Sequence, residues 1–196
     1  MLLNRVEYAL MNNPVRAAIQ RTLEAPRLLR MGGPMRGGRA LELGCGRGVG
    51  TELILDLFGA DSVDAFDLDP RMVALARKRL APRGSRVRLW IGDAGAVSAP
   101  ADGYDAVFDF GIIHHVQDWR RALTEVHRVL KPGGLFYCEE VLRRFILNPV
   151  ARRLLKHPRT DRFDCAGFVR QLKASGLEPF ASEELWGWFA WFVARK

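Results

Sequence analysis

The 196 residues, 48% of them apolar and 27% charged, suffice for one domain with a hydrophobic core of its own. They contain no apolar run of about 18 residues, which excludes a membrane-spanning helix, and the three cysteines lack metal-like spacing. The net charge of +8 is regional: residues 1–40 carry seven arginines against two glutamates, and residues 143–162 carry seven basic side chains against one aspartate. Because the first residues lack the apolar region and cleavage site of a signal peptide, we expect a cytoplasmic protein with reduced thiols.

Two helices are predicted at the beginning of the chain. An apolar period within residues 2–10 indicates the first, and Asn13 followed by Pro14 is the predicted start of the second. The apolar face of this second helix is formed by Val15, Ala18, Ile19 and Leu23. A glycine-rich loop over residues 31–38 then leads to the first strand.

From residue 39 onwards, β-branched or aromatic runs alternate with helical periods, which is typical of βαβ units and a parallel sheet. The predicted strands are 39–43, 62–67, 86–91, 104–110, 134–140, 177–185 and 188–195. The predicted helices run near 48–58, 70–81, 119–130 and 164–175, and Asp69 is the N-cap of the second of these. Because the last two strands have no helix between them, the sequence predicts a Rossmann-like seven-stranded α/β sheet, parallel except for one strand of a C-terminal hairpin, with helices on both faces.

A glycine-rich segment, LELGCGRGVGT over residues 41–51, joins the first strand to the helix that follows it. Glycine is needed where the backbone turns tightly and approaches a ligand without a Cβ in the way. By itself this turn is equally compatible with a dinucleotide-binding fold.

Acidic residues follow at the ends of the first four strands, at Glu42, Asp67, Asp93 and Asp109. Ligands of open α/β folds bind at this carboxyl edge of the sheet. Four carboxylates there would repel a dinucleotide pyrophosphate, whereas a ligand with a sulfonium, an ammonium and only one carboxylate would suit them better.

These segments together resemble class I S-adenosylmethionine (SAM)-dependent methyltransferases. LELGCGRGVGT looks like their first motif, VDAFDLDPRMVALARKRL like the second and WIGDA like the third. YDAVFDFGIIHHVQDWRRALTEVHRVLKPGG resembles the fourth strand and the helix that follows in the small-molecule branch, which includes quinone, sterol and lipid methyltransferases. The resemblance covers residues 39–140 and implies SAM as the cofactor and S-adenosylhomocysteine as its product.

The resemblance also implies a role for individual residues. Those implied at the methionine part of SAM are Glu42, Gly44, Cys45, Gly46, Phe110 and Gly111. Those implied at the ribose and the adenine are Asp67, Leu68, Met72, Asp93 and Ala94. Within this set Asp67 would accept the ribose hydroxyls, and Asp93 would accept the adenine amino group.

Two residues are candidates for catalysis, His115 and Asp109. An imidazole beside the methyl group could remove a proton from a hydroxyl or amine acceptor, but the pair His114–His115 fits a packing role as well. Asp109 fits either a position facing the cofactor or a structural one. We expect no metal site, because adjacent histidines should point apart and no cysteine pair accompanies them.

The acceptor is expected beneath two additions to the SAM-binding core of residues 39–140. These are an N-terminal helical cap, residues 1–38, and a basic lid, residues 141–163, and the chain ends in a helix and hairpin over residues 164–196. The lid should contain an amphipathic helix after Pro149, with Leu154 and Leu155 on one side and Arg152 and Arg153 nearby. Such segments suit a small amphiphilic or anionic acceptor, or contact with the inner surface of an anionic membrane, although a merely solvated lid fits equally. Trp186 or Trp188 could wall the same pocket.

Other functions remain possible at this level. The basic character is compatible with an RNA or other nucleic-acid methyltransferase, but the tetrapeptide and Pro-Cys motifs of such enzymes are missing. A NAD-dependent oxidoreductase conflicts with the acidic strand ends. A SAM-binding protein without transferase activity would have the same motifs, and neither the acceptor nor the methylated atom follows from them.

Overall fold

The computed structural model describes residue 8, residues 12–154 and residues 160–196, without the side chain of Leu154. Its strands are β1 (Arg39–Leu43), β2 (Ser62–Asp67), β3 (Val87–Ile91), β4 (Tyr104–Phe110), β5 (Leu130–Val141), β6 (Glu178–Leu185) and β7 (Phe189–Arg195). They form one sheet in the order β3-β2-β1-β4-β5-β7-β6. Strand β7 is antiparallel to β5 and β6, and the other pairs are parallel. The predicted seven-stranded sheet is therefore confirmed.

Helices cover both faces of this sheet. They are α1 (Pro14–Ile19), α2 (Ala25–Gly32), α3 (Val49–Asp56), α4 (Pro70–Leu80), α5 (Trp119–Val129), α6 (Arg143–Ile146), α7 (Pro149–Leu154) and α8 (Cys165–Ala174). In β5, Phe136 and Cys138 belong to one hydrophobic cluster and Tyr137 between them belongs to another. Since successive side chains of a strand point to opposite faces, the two clusters lie on the two sides of the sheet.

The helix ends follow from local chemistry and agree with the sequence prediction to within two residues for α3, α4, α5 and α8. Asp69 is the N-cap of α4, as predicted, and its carboxylate accepts a hydrogen bond from the backbone N–H of Arg71 at 2.9 Å. Asp118 and Asp164 cap α5 and α8 in the same way. The predicted first helix within residues 2–10 lies outside the described residues, apart from position 8.

Strand β5 begins at Leu130, earlier than the predicted start at residue 134. The Lys-Pro-Gly-Gly segment was expected to be a turn, but Leu130 pairs with Tyr104 and Gly133 donates a hydrogen bond to the carbonyl of Lys196 at 2.8 Å. Pairing partners from distant parts of the chain thus extend the strand into a segment whose composition favours a turn.

The N-terminal helix differs from the prediction in the face it buries. Helices α1 and α2 form one run, joined by a π-helical turn at Gln20–Glu24. The predicted apolar face is exposed, with 65% of Val15 and 64% of Leu23 accessible, whereas Gln20 and Glu24 are buried. The helix is buried on this polar side because the side chain of Arg16 reaches Glu139 of β5, 3.6 Å away.

The segment after β5 contains the predicted short helix, α7, which begins after Asn148. The side chain of Asn148 accepts a hydrogen bond from the backbone N–H of Val150 at 2.9 Å. Leu155 and the side chain of Leu154, which the prediction placed on its apolar side, lie outside the described part. Among the helices described here, none has both the length and the apolar character that crossing a bilayer requires.

Candidate active site

The strand order places a cavity of about 690 Å³ at the carboxyl ends of β1 to β4. Strand β1 pairs with β2 on one side and β4 on the other, so the connections diverge between β1 and β4 and leave a crevice there. All residues that the sequence analysis assigned to the cofactor or to catalysis line this cavity, except Asp109. They are Glu42, Gly44, Cys45, Gly46, Asp67, Leu68, Met72, Asp93, Ala94, Phe110, Gly111 and His115.

The glycine-rich loop leaves open space where a ligand can approach the backbone. Gly46 has φ +51°, and a Cβ at this position would meet nothing within 4 Å. At Gly50, which also lines the cavity, a Cβ would lie 2.0 Å from Oε1 of Glu42. Gly50 is thus required for the fit between α3 and the first acidic residue, a role that the sequence analysis did not assign.

Glu42 is a buried carboxyl group at the end of β1. Its carboxylate accepts a hydrogen bond from the hydroxyl of Thr51, which is also buried. Burial raises the pKa of Glu42 to about 8, and the hydrogen bond from Thr51 opposes this increase. A cationic group in the cavity would favour its ionised form.

Asp67 lies at the end of β2 and is already fixed by the backbone. Its Oδ2 accepts from the N–H of Gly46 at 2.9 Å, and its Oδ1 accepts from the N–H of Asp69 at 2.8 Å. Burial raises its pKa, whereas the two backbone hydrogen bonds lower it. Because each carboxylate oxygen has two lone pairs, both can accept a second hydrogen bond from a ligand hydroxyl.

The residues that follow β3 also line the cavity. The carboxylate of Asp93 accepts from the N–H of Gly95 at 2.8 Å, and the side chain of Asp93 is exposed. Ala94 is buried, Met72 is buried and Leu68 is 42% exposed. An acidic acceptor with apolar groups beside it suits a flat ring that carries an amino group.

Asp109 does not reach the cavity, although it was a candidate for catalysis. It is fully buried, and its Oδ1 accepts from the backbone N–H of Ile112 at 2.8 Å. Its Oδ2 lies 3.3 Å from the thiol of Cys138, and burial together with Glu140 raises its pKa well above the usual value. Asp109 therefore stabilises the loop after β4 through its hydrogen bond with the backbone of Ile112.

The two histidines of this loop do not point apart, contrary to the expectation. Their rings face each other with centroids 4.2 Å apart, and both side chains are buried. His115 lines the cavity, whereas the Nδ1 of His114 lies 2.7 Å from Oε2 of Glu140. Asp109, Cys138 and Glu140 form the one group of potential metal-binding side chains within the described ranges, and it does not include either histidine.

Arginines also line the cavity, at positions that the sequence analysis did not single out. Arg16 and Gln20 reach it from the N-terminal helix, and Arg47 and Arg121 from the core. Arg16 forms an ion pair with Glu24. The run of polar residues at positions 16, 20 and 24 repeats every four residues and could have indicated this buried face.

The basic lid contributes less to the cavity than expected. Within its described part, Thr160 lines the cavity, whereas Arg143 pairs with Asp164 and Arg144 donates to the carbonyl of Trp186. Trp186 is 75% exposed, and neither it nor Trp188 is among the residues around the cavity. The expectation that a tryptophan of the hairpin walls the pocket is wrong.

Fold and cavity define an α/β protein of the Rossmann-like class, with its ligand cavity at the topological switch point. Residues 40–134 match the family described as a methyltransferase domain. The chain is similar to a ubiquinone biosynthesis O-methyltransferase of Cereibacter sphaeroides, with 32% identity over 71% of this chain and 52% of the relative. It is also similar to a malonyl-[acyl-carrier protein] O-methyltransferase of Paenibacillus sp., with 33% identity over 49% of this chain and 36% of the relative.

Solved structures share the fold. The crystal structure of an S-adenosylmethionine dependent methyltransferase from Mesorhizobium loti has a TM-score of 0.73 at 22% identity and covers 87% of this chain and 96% of that chain. These comparisons confirm the resemblance seen in the motifs: the chain carries a class I SAM-dependent methyltransferase domain, and SAM is the cofactor of that class. The chain spans about half the length of the ubiquinone-related protein that it matches.

Proposed function

We propose that the protein transfers the methyl group of SAM to a small-molecule acceptor. One observation carries this proposal: acidic strand ends, a glycine-rich loop and a histidine converge on a single cavity of about 690 Å³. Pockets of roughly 300–1,000 Å³ are typical of sites for small ligands. The names of the two curated relatives support methylation of a metabolic group: one refers to ubiquinone biosynthesis, and the other to a malonyl group on an acyl-carrier protein.

The cavity fits SAM by charge and by access to the backbone. When bound, SAM supplies an electrophilic methyl group on a positively charged sulfur. Glu42 would face the cationic methionine end, and Arg16 would face its carboxylate. Gly46 leaves the space that this close approach requires.

The second part of SAM would be held after β2 and β3. The two oxygens of Asp67, each with one backbone hydrogen bond, would accept the ribose hydroxyls. Asp93 would accept a hydrogen bond from the adenine amino group, and the adenine ring would lie between the apolar side chains of Leu68 and Met72. Hydrogen bonds to an ionised carboxylate are stronger than those between neutral groups, and backbone N–H groups hold both carboxylates in place.

His115 is the residue that we propose at the acceptor end. Its imidazole lines the cavity while most of its surface is buried, so it is both accessible to a ligand and fixed. It would take the proton from a hydroxyl or amine acceptor as the methyl group is transferred. Alignment of the acceptor in a site that excludes water supplies most of the remaining catalysis.

We further propose an amphiphilic or anionic acceptor and contact of the protein with anionic membranes. Arg16, Arg47 and Arg121 line the cavity together with apolar groups, which suits a molecule with both characters. Outside it, the apolar stripe Val15, Ile19 and Leu23 of the N-terminal helix is exposed, and so are Arg152 and Arg153 of α7. Exposed apolar and basic side chains are both features of proteins that bind anionic lipid.

Calorimetric titration with S-adenosylhomocysteine tests the cofactor site. We expect Asp67→Ala to lower the affinity by about tenfold or more, because two hydrogen bonds to a charged acceptor are lost. Asp56→Ala, which removes an exposed carboxylate paired with Arg83, is the matched control and should bind as the wild type does. Unchanged affinity in the Asp67 variant, or tighter binding of NAD than of S-adenosylhomocysteine, would overturn the assignment.

The acceptor class is tested with SAM labelled in its methyl group. Cell extract is fractionated into lipids, polar metabolites and RNA, and each fraction is incubated with the protein. We expect label in the lipid or polar fraction. Label confined to RNA would favour the nucleic-acid alternative, and no label in any fraction would favour a SAM-binding protein without transferase activity.

A further inference from the structure

The wall of the cavity that carries His115 is an irregular loop, residues 111–117, between β4 and α5. It contains a 3-10 turn, Ile113–His115, and four of its residues line the cavity besides His115: Gly111, Ile112, Val116 and Gln117. A segment without regular structure keeps its shape only through the partners of its backbone groups. The partners of this loop therefore decide where the imidazole points.

On the inner side, Glu140 of β5 binds the middle of the loop. Its Oε2 accepts from the backbone N–H of His114 at 3.1 Å, lies 2.7 Å from Nδ1 of the same residue and accepts from the N–H of Val141 at 3.2 Å. Glu140 is fully buried, and burial raises its pKa to about 7. A single oxygen thus fixes both the backbone and the ring of His114.

On the outer side, Arg162 of the basic lid binds the carbonyl groups of the same loop. Its guanidinium donates to the carbonyl of His114 at 2.8 Å and to the carbonyls of Val116 and Gln117 at 3.4 Å. Next to it, the carbonyl of Asp161 accepts from the indole of Trp119 at 2.9 Å, which ties the lid to the start of α5. The planar guanidinium has several donors in a fixed arrangement, so one side chain can hold three carbonyls.

The two contacts act on His115 through its neighbour. The rings of His114 and His115 are in contact, with centroids 4.2 Å apart, so a fixed His114 restricts the rotation of His115. We propose that Glu140 and Arg162 are positioning residues, which hold the 111–117 loop from opposite sides and so orient the imidazole of His115 toward the acceptor. This inference rests on the proposed function, in which His115 faces the acceptor.

Hydrogen–deuterium exchange tests the loop itself and needs no acceptor. We expect Glu140→Leu and Arg162→Met to raise the exchange rate of peptides covering residues 111–117 by about tenfold, because the loop loses its partners on one side. Glu140→Gln keeps an acceptor oxygen and should restore most of the protection. Arg143→Met, which removes another arginine of the lid whose partner is Asp164 at 3.9 Å, should exchange as the wild type does.

Turnover separates positioning from a structural role. With an acceptor from the labelling experiment, we expect both variants to lower kcat by about 10²-fold, since misplacement of a reacting group by roughly 1 Å costs that much. The KM for SAM and the affinity for S-adenosylhomocysteine should change little, and Arg162→Lys should recover part of kcat. Unchanged exchange in Arg162→Met and in a folded Glu140 variant, or an unchanged kcat, would overturn the inference. Failure of the wild type to bind S-adenosylhomocysteine would instead contradict the proposed function.

Discussion

At the scale of the residue, burial raises the pKa of Glu42 to about 8, although the motif in which it lies suggests a charged residue. Its carboxyl group is buried, and its immediate partner is the hydroxyl of Thr51 rather than a cation. The nearby carboxylates of Asp67 and Asp109 add to the increase in its pKa, which burial dominates. A cation bound in the cavity would favour the ionised form of this carboxyl group.

This raised pKa makes the free energy of unfolding depend on pH. Between its usual pKa of about 4.5 and its folded value of about 8, Glu42 holds a proton in the folded state that the unfolded chain has lost. The contribution of Glu42 to the free energy of unfolding is therefore complete below pH 4.5 and is lost as the pH rises to 8. The loss is at most about 1.4 kcal/mol per pH unit. We expect Glu42→Gln to show a shallower fall across this window in urea unfolding.

The control for this experiment is Glu178→Gln. Glu178 is an exposed carboxylate that pairs with Lys173 at 3.1 Å, so its replacement should leave the slope unchanged. The other buried carboxyl groups, Asp109, Glu139 and Glu140, are present in the wild type and in both variants, and among them Asp109 is the one whose charge acts on Glu42. Equal slopes for Glu42→Gln and the wild type would show that Glu42 is ionised in the folded protein.

At the scale of the element, the N-terminal helix is bound through polar groups on the side that faces the sheet. Arg16 lies between Glu24 of the π-helical turn and Glu139 of β5, and all three side chains are largely buried. Burial raises the pKa of Glu139 well above its usual value, and Glu24 adds to this increase. A π-helical turn inserts an extra residue into the helix, which turns the following face and is common at functional sites.

We expect Arg16→Met to destabilise the protein by about 3 kcal/mol, because removal of one partner leaves buried carboxyl groups without a cation. Adding Glu139→Gln to this variant should recover part of the loss, so that the double variant is more stable than the sum of the single effects predicts. Urea unfolding without ligand measures both. Arg30→Met, at an exposed position of the same helical run, serves as the control. Additive effects of the two substitutions on the free energy of unfolding would contradict an interaction between Arg16 and Glu139.

At the scale of the whole molecule, some basic residues form contacts within the fold and others are exposed to solvent. Arg16 and Arg162 are used within the structure, Arg144 binds a backbone carbonyl of the hairpin, and Arg152 and Arg153 are exposed on α7. The net charge of +8 is thus only partly available to a partner. Helix α7 carries Arg152 and Arg153 together with Val150, an apolar residue that is 66% accessible.

Co-sedimentation with lipid vesicles tests the proposed membrane contact. We expect binding to vesicles that contain anionic lipid, with the affinity reduced about tenfold or more in Arg152→Glu/Arg153→Glu, since each basic residue near the surface contributes about 1 kcal/mol. Binding should weaken as salt rises, and the affinity for S-adenosylhomocysteine should not change. Lys173→Glu, on α8, is the matched reversal. Equal sedimentation of the double variant and the wild type at low and moderate salt would mean that these arginines are solvated surface.

The sequence alone determined the succession of strands and helices along the chain and a set of residues that line the cavity at the ends of β1 to β4. The turns after Asp67 and Asp93 and the cap at Asp69 depend on neighbours two residues away. Such local information is complete in the chain itself, which is why the motifs predicted both the sheet and the cavity wall.

Only the tertiary structure decided which groups lie beneath the cavity and which reach into it. Asp109 ends β4 as Asp67 ends β2, yet it is directed at Cys138 and the loop above it. The buried side of the N-terminal helix follows from Arg16 and Glu139, and the orientation of His114 follows from Glu140. These outcomes depend on contacts between residues far apart in the chain. A buried charge is stable only beside its partner, and the fold alone brings the partners together.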